Sequence, residues 1–484
     1  MESSSKLLAI LLIIGAAIGG VAVVVLFDQV DHIALLFLLP LMFIIGLLPI
    51  LTRIWRGTFD LFEVIVPYFA MYFLFYGAGA LFMLFVPGAA TDAGVLGYLD
   101  IALLYCTIGF ACAMIGYSLA GRFVRALPAG PSPKMSPMIL FAVFNVGYIG
   151  EVIRANLEYL PLGHEIATSG VVTLMGQLSW LTMFAMFYTI YMLVSYQGTL
   201  ALKLLLYGWM VPMETLALFL RFGNKTALMF IMGLPLIAFW YARRRVPWKS
   251  LIVTLLVVVF VVFPVYYTYR SIRGQYYSRE LRVARSIEFL QKQEAGSYAE
   301  DSLKTVARRL AIINSTAVVV RDCGTRVEYQ MGKTLWDGVV LLAIPRIFWP
   351  NKPTTNVCTE FGKTFRMTGF GNFSATSMSM VGELYWQFHV PGIIAGMLLM
   401  GIWMRILYLR FAAGAVSPIR LAVYVPLMYS TITVGEGEIG SLIGAVGRIL
   451  FVYFIIEKGL VLMHGIGERR ATGRSPGGRP VTVP

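Results

Sequence analysis

Apolar residues fall along this chain in runs of about 18 to 25, each long enough for a helix to cross a hydrocarbon core of roughly 30 Å. Short polar or charged stretches separate them. The pattern predicts helices near 7–27, 33–51, 62–87, 98–121, 136–157, 169–196, 199–220, 226–242, 249–268, 380–404, 418–434 and 442–463. The first run, Leu7 to Phe27, is followed by Asp28, Asp31 and a second apolar run, so it reads as a retained helix rather than a cleaved leader. The fold class expected is therefore an all-α polytopic membrane protein of about a dozen spans.

Charge in the short loops orients those spans, because lysine and arginine accumulate on the cytoplasmic side. Arg53 and Arg56 follow the second span, Arg122, Arg125 and Lys134 the fourth, and Arg243, Arg244, Arg245 and Lys249 the eighth. Arg405, Arg410 and Arg420 follow the tenth, and Arg469, Arg470, Arg474 and Arg479 the twelfth. Loops after odd-numbered spans are acidic or nearly neutral, with Asp92 and Asp100 in one and Glu436 and Glu438 in another. The alternation predicts an even number of spans with both termini cytoplasmic. The tail from Glu468 to Pro484 is rich in Arg, Gly and Pro and is expected to be disordered.

Composition supports lipid as the main solvent. Of 484 residues, 58% are hydrophobic and 13% charged, and the mean hydropathy is +0.76. Soluble domains carry about 25% charged residues, so this chain has too little polar surface to wrap a globule. The one shift in composition lies between Tyr269 and Ser379, where sixteen lysines and arginines face nine carboxylates. The topology puts this segment outside, where its cations need anionic headgroups or an anionic substrate. Within it, Leu303, Val306, Leu310, Ile313, Ala317 and Val320 recur at helical spacing, with Asp301 or Ser302 placed to cap the start. Such a helix would lie on the bilayer surface or roof a cavity between the spans. A second helical stretch, about Ser278 to Gln293, is more charged and less clearly sided.

Few residues suggest metal or nucleotide chemistry. His32, His164, His389 and His464 are scattered, no Cys/His spacing resembles a zinc site, and no phosphate-binding glycine loop opens a helix. Cys106 and Cys112 read as packing residues. Cys323 and Cys358 lie in the outward segment, where a disulfide or two free thiols are both open.

Cations carry the sharper signal. Arg270 and Arg273 follow the ninth span, and Arg346 and Lys352 sit among prolines and aromatics in Ile344-Pro345-Arg346-Ile347-Phe348-Trp349-Pro350-Asn351-Lys352-Pro353. Proline stiffening and interfacial aromatics suit a rigid clamp for phosphate or diphosphate, which arginine grips bidentately. Gly382-Glu383-Leu384-Tyr385 opens the tenth span. A carboxylate at the mouth of a membrane helix is costly unless it is paired or working, so Glu383 is either ion-paired to a loop arginine or a general base. Glu436 and Glu438 lie on the same side and compete for that role. Arg448 near the outer end of the twelfth span, and Arg221 with Lys225 between spans seven and eight, are further candidates, while Glu151 and Arg154 are spaced to neutralise each other.

The long late outward loop, the Ile-Pro-Arg-x-x-Trp-Pro-x-Lys-Pro segment and the Gly-Glu-x-Tyr helix start resemble bacterial Wzy-type oligosaccharide repeat-unit polymerases. These are the O-antigen and exopolysaccharide enzymes of GT-C-like architecture. An Arg-x10-Gly pattern discussed for that family is matched twice, from Arg285 to Gly296 and from Arg321 to Gly332. The resemblance implies a metal-independent, cofactor-free glycosyltransferase of the bacterial inner membrane. It would move a growing glycan from undecaprenyl diphosphate to the non-reducing end of a lipid-linked repeat unit, in the company of a chain-length regulator and without nucleic acid. Glu383, Arg346 and Arg273 would be catalytic, and Arg270, Lys352, Arg221, Lys225, Arg448 and Tyr385 would bind substrate. The domains would be 1–268 (spans one to nine), 269–379 (periplasmic loop), 380–464 (spans ten to twelve) and 465–484 (cytoplasmic tail). The rivals are an O-antigen ligase and a lipid-linked oligosaccharide flippase or other transporter.

Overall fold

In the computed structural model, residues 32–90, 93–127, 135–157, 178–195, 197–220, 233–245, 252–253, 285, 288, 304, 307–336, 349, 357–367, 377–414 and 417–471 are described. The protein is all-helical over these residues. The helices are α1 (Ile33–Trp55), α2 (Ile65–Phe85), α3 (Leu99–Phe123), α4 (Pro137–Leu157), α5 (Trp180–Val194), α6 (200–220) and α7 (Leu234–Arg243). Then come α8 (Ile313–Asp322), α9 (Val357–Thr364), α10 (Met380–Phe411), α11 (Pro418–Thr433) and α12 (Ile439–Ala471). Each of these helices outside 307–367 coincides with an expected span, and one further turn, Ala93–Leu96, falls between the third and fourth.

By length and apolarity, five helices among the described residues qualify to cross a membrane: α1 from Ala34, α2, α3, α10, and α12 as far as Gly459. Pro137–Ile153 and Trp180–Val194 are apolar but shorter. This is a multi-pass membrane protein. The predicted helix at 7–27 and nearly all of that at 249–268 lie outside the described residues, as does the Ser278–Gln293 stretch apart from Arg285 and Glu288, which pair at 2.6 Å. The tail departs from expectation, because α12 continues through Glu468, Arg469 and Arg470 to Ala471. These are good helix formers and no proline interrupts them before Pro476.

Side-chain contacts fix the direction in which neighbours run. Phe43 meets Phe73 and Phe69, Phe69 stacks on Phe110, and the Tyr72 hydroxyl donates to the Cys106 carbonyl at 2.8 Å. The contacts thus place α1, α2 and α3 antiparallel in sequence. By contrast α3 and α10 are parallel: Gly109 lies against Ile393 and Met397, Gly116 against Leu398, and Gly121 against Arg405. Glycines make that approach possible. A Cβ on Gly116 would sit 2.1 Å from the Leu398 carbonyl oxygen, and one on Gly401 would sit 1.9 Å from that of Ala113. Small residues at such a seam let backbones close up where lipid provides no hydrophobic drive.

The amphipathic segment predicted from Leu303 to Val320 is interrupted and deeper than expected: residues 307–310 are helical, whereas Ala311 and Ile312 are not. Helix α8 starts at Ile313, and eight of its ten residues are buried, including Asn314, Ser315 and Thr316. It packs against α3, α10 and the end of α2, where Gly79 lets the Leu310 carbonyl and Ala311 approach. Its polar residues point into the bundle rather than to water, which rules out the bilayer-surface placement. The cap proposed at Asp301 or Ser302 lies outside the described residues.

Candidate functional site

Helix α10 is not one rod. Pro391 has no N–H to give the Gln387 carbonyl, and the chain breaks just before it, at Phe388 (φ −138°, ψ 24°) and His389 (φ 58°, ψ −148°). The break frees two carbonyls, and the outer segment fills them: Gln330 N–H donates to Trp386 O and Met331 N–H to Gln387 O, each at 3.0 Å. The eight residues Met380 to Gln387 then fold back on the rest. In a straight helix Leu384 and Gly392 would be about 12 Å apart along the axis. Here a Cβ on Gly392 would lie 2.4 Å from the Leu384 carbonyl oxygen, and one on Gly396 would touch the Leu384 side chain.

The first turn of this half-helix is polar and buried. Ser379 adopts φ +65° and its hydroxyl caps the Gly382 N–H at 2.9 Å. Thr316 of α8 shares a 2.8 Å hydrogen bond with the same hydroxyl, and Ser315 donates to the Ser377 carbonyl at 2.5 Å. Ser377 in turn donates to the Glu436 carbonyl. On α2, a π-helical turn over Phe73–Ala78 carries Tyr76, whose hydroxyl donates to the Gly435 carbonyl at 3.0 Å. Inside this ring sits Glu383, 1% exposed, with Oε2 accepting the Ile439 N–H at 2.8 Å. No cation among the described residues pairs with it. Arg270, Arg273 and Arg346, loop arginines that could form the ion pair considered from the sequence, lie outside the described residues.

Two more groups border Glu383. Glu438 accepts from Ser441 at 2.5 Å through Oε1, while its Oε2 is buried without a hydrogen-bond partner among the described residues. Cys358 of α9 has its thiol pushed up to about 12, first by burial and then by the charges of Glu438 and Glu383. Cys323 and Cys358 are both free thiols, which resolves the disulfide question in favour of two thiols.

Tyr385 lies on the other side of the half-helix from Glu383, stacked on Tyr105 at 5.3 Å between ring centroids. Arg448 is half-buried on α12, nine residues beyond Ile439 or about 14 Å along the helix, so it does not reach Glu383 through the contacts described. Arg221, Lys225, Arg270, Arg273, Arg346 and Lys352 lie outside the described residues, as do the side chain of Arg154 and all of Gly296. Arg321 bonds to Asp322 at 2.9 Å, and Gly332, with φ +86°, lies against the Phe388 ring. Among the described residues no three His, Cys, Asp or Glu side chains converge as a metal site would require.

The family described as Domain of unknown function (DUF8712) matches residues 153–412, more than half of the chain. This chain belongs to that family. No curated protein and no solved structure matches it. The matched segment of this DUF8712 protein runs from the end of α4 to the end of α10, so it contains α8, α9, Glu383 and the break at His389.

A second polar centre joins the DUF8712 segment to the helices before it. Glu63, 2% exposed, accepts from Arg405 Nη1 at 2.7 Å and also binds Arg53 and the Tyr117 hydroxyl. Asp60, 3% exposed, accepts from Trp240 Nε1 at 2.7 Å, Arg244 Nη1 at 3.1 Å and the Tyr408 hydroxyl at 3.2 Å. Arg53, Arg244 and Arg405 come from three of the basic clusters used to orient the spans. The structure brings them to one place, at the opposite end of α3 from Cys106. Asp60, Glu63, Tyr117, Trp240 and Tyr408 were not legible as partners, because every contact but Arg53–Glu63 crosses between elements far apart in sequence.

Proposed function

We propose that this protein is a membrane glycosyltransferase that extends a glycan, transferring it from undecaprenyl diphosphate to the non-reducing sugar of a lipid-linked repeat unit. The observation that carries the reading is Glu383. It is a carboxyl buried in the first turn of a half-helix, with one oxygen held by a backbone N–H and hydroxyls of Ser379 and Thr316 beside its turn. In the proposed step an acceptor hydroxyl attacks the anomeric carbon of the donor as its proton passes to the Glu383 carboxylate. The new glycosidic C–O bond forms, the bond to the diphosphate breaks, and undecaprenyl diphosphate leaves as an anion. Arg270, Arg273, Arg346 and Lys352 neutralise that leaving group, with Arg221, Lys225 and Arg448 in support.

The architecture proposed is twelve spans in the bacterial inner membrane, with both termini cytoplasmic. Support comes from direction: α3 and α10, the expected fourth and tenth spans, run parallel, as five spans between them require. Further support is that arginines from three loops assigned to one side meet at Asp60 and Glu63.

The test is turnover by the purified full chain on a synthetic undecaprenyl-diphosphate repeat unit, with EDTA present and products resolved on a gel. A ladder of multiples that disappears in Glu383→Gln supports the proposal. A ladder that persists at wild-type rate in Glu383→Gln removes Glu383 from the reaction. Glycan released only onto an added lipid A core acceptor would identify a ligase instead.

A further inference from the structure

The break in α10 holds a histidine in a backbone region that glycine ordinarily occupies. His389, at φ 58° and ψ −148°, carries this conformation although a glycine there would relieve it. Pro391, the two docking bonds from Gln330 and Met331, and Gly392 and Gly396 against Leu384 account for the break without calling on the histidine side chain. The imidazole is exposed, lies 4.7 Å from the Tyr385 ring and 5.5 Å from the Tyr329 ring by centroids, and the Tyr329 and Tyr385 hydroxyls meet beside it. Around it, Phe388 is 44% exposed, and Trp336, one turn past the Gly332 that rests on Phe388, is 69% exposed.

We infer that this break is a glycan-recognition site, in which His389 and the Tyr329 and Tyr385 hydroxyls hydrogen-bond a sugar ring whose apolar face packs on Phe388 and Trp336. The inference rests on the glycosyltransferase reading and places one subsite within it. A pyranose offers hydroxyls at its rim and C–H groups on its faces, so it needs this mixture of polar tips and exposed aromatic surface. An acyl chain would leave the imidazole without a partner and the Tyr329 and Tyr385 hydroxyls with only each other. A second polar group points to a ligand in the same turn: Gln387 is fully buried, its amide bonds Thr334, and its other amide atom has no partner among the described residues.

The probe is benzoylphenylalanine in place of Trp336 in the full chain, irradiated in host membranes that are making the lipid-linked saccharide. The adducts are then digested and read by mass spectrometry. Hexose-bearing adducts are expected, with a yield at least tenfold lower in His389→Gly while that variant keeps or raises its melting temperature. Phospholipid adducts alone, no adduct, or a glycan yield unchanged by His389→Gly would overturn the site. The polymer ladder is measured in parallel. A ladder without glycan adducts rejects this subsite and spares the polymerase reading, whereas glycan adducts without a ladder do the reverse.

Discussion

Arg405 and Glu63, 342 positions apart in the chain, meet with the guanidinium Nη1 2.7 Å from the carboxylate Oε1. Both are largely withdrawn from solvent, and Tyr117 lies between them, its hydroxyl bound to Glu63 and its ring 5.1 Å from the Arg405 guanidinium carbon. Removing one member of a buried pair strands the other, which costs about 3 kcal/mol or more. Arg405→Ala is therefore expected to lower the unfolding free energy by about 3 kcal/mol, with Arg53 limiting the loss. Thermal denaturation in detergent measures it. The double variant Arg405→Ala/Glu63→Gln should cost less than the two single changes together, because no carboxylate is then left uncompensated; strict additivity would mean the two groups do not interact.

The parallel seam of α3 and α10 makes a sharper prediction. Even one methyl at Gly116 or Gly401 meets an opposing carbonyl oxygen at 2.1 or 1.9 Å, far inside van der Waals contact, so both backbones must move. Gly401→Ala and Gly116→Ala should each cost about 1–3 kcal/mol, and leucine at either position should prevent folding. Gly447 on α12 has nothing within 4 Å of its Cβ position. Gly447→Ala should instead stabilise by about 0.5–1 kcal/mol through its helix preference. Equal effects at Gly401 and Gly447 would contradict the seam.

Helix positions were largely legible because a spanning helix must be apolar for its full length, and that signal is local. Runs at 33–51, 98–121 and 418–434 became helices at nearly those bounds. The two features that organise the site were hidden for different reasons. The break at His389 lies inside a stretch that reads as one span, 380–404, and Pro391 alone does not say whether a membrane helix kinks or reverses. What makes it reverse is Gly392 and Gly396 receiving Leu384, together with backbone donors from Gln330 and Met331, about 55 residues earlier. The Asp60 and Glu63 centre was hidden because loop arginines mark orientation whether or not they find partners. Glu383 was legible as a costly carboxylate at a helix start. Its setting was not, since the group it binds is the Ile439 N–H of another helix.

The two thiols outside the spans give a pH-dependent test. Cys358 and Cys323 are each pushed up to about 12 from an ordinary 9.0, Cys358 by burial and then by Glu438 and Glu383, Cys323 by burial and then by Asp322. Both remain protonated in the folded protein at pH 8 and should react with iodoacetamide far more slowly than the unfolded chain does, since the thiolate is the nucleophile. A group raised in the folded state contributes stability that is complete below its unfolded value and is lost as pH rises towards the folded one. The protein should thus lose stability progressively between pH 9 and pH 12. Replacing both cysteines with alanine should flatten that slope. Rapid labelling of the native protein at pH 8 would show the thiols are exposed. A mass difference between reduced and unreduced samples after alkylation would show a disulfide instead.

Ser379 ties backbone strain to the orientation of Glu383, and three variants at this position separate the contributions. The wild-type hydroxyl caps Gly382 and binds Thr316, but the residue sits at φ +65°, where a side chain is unfavourable. Alanine keeps the strain and loses both hydrogen bonds, leaving a buried N–H and the Thr316 hydroxyl short of partners, so Ser379→Ala should cost about 2 kcal/mol. Glycine loses the same bonds but relieves the backbone, and at such a cap it costs only a few tenths relative to serine. The expected order of melting temperature is serine, glycine, alanine, with glycine closer to serine. Polymer formation should follow a different order if Glu383 works from this turn. Glycine restores stability without restoring the cap that fixes the first turn, so Ser379→Gly should fold well yet turn over slowly. Threonine keeps the hydroxyl at the price of greater strain, so Ser379→Thr should be less stable but closer to wild type in rate per folded molecule. Rates that simply track melting temperature across the three variants would mean that the cap serves the fold alone and does not orient Glu383.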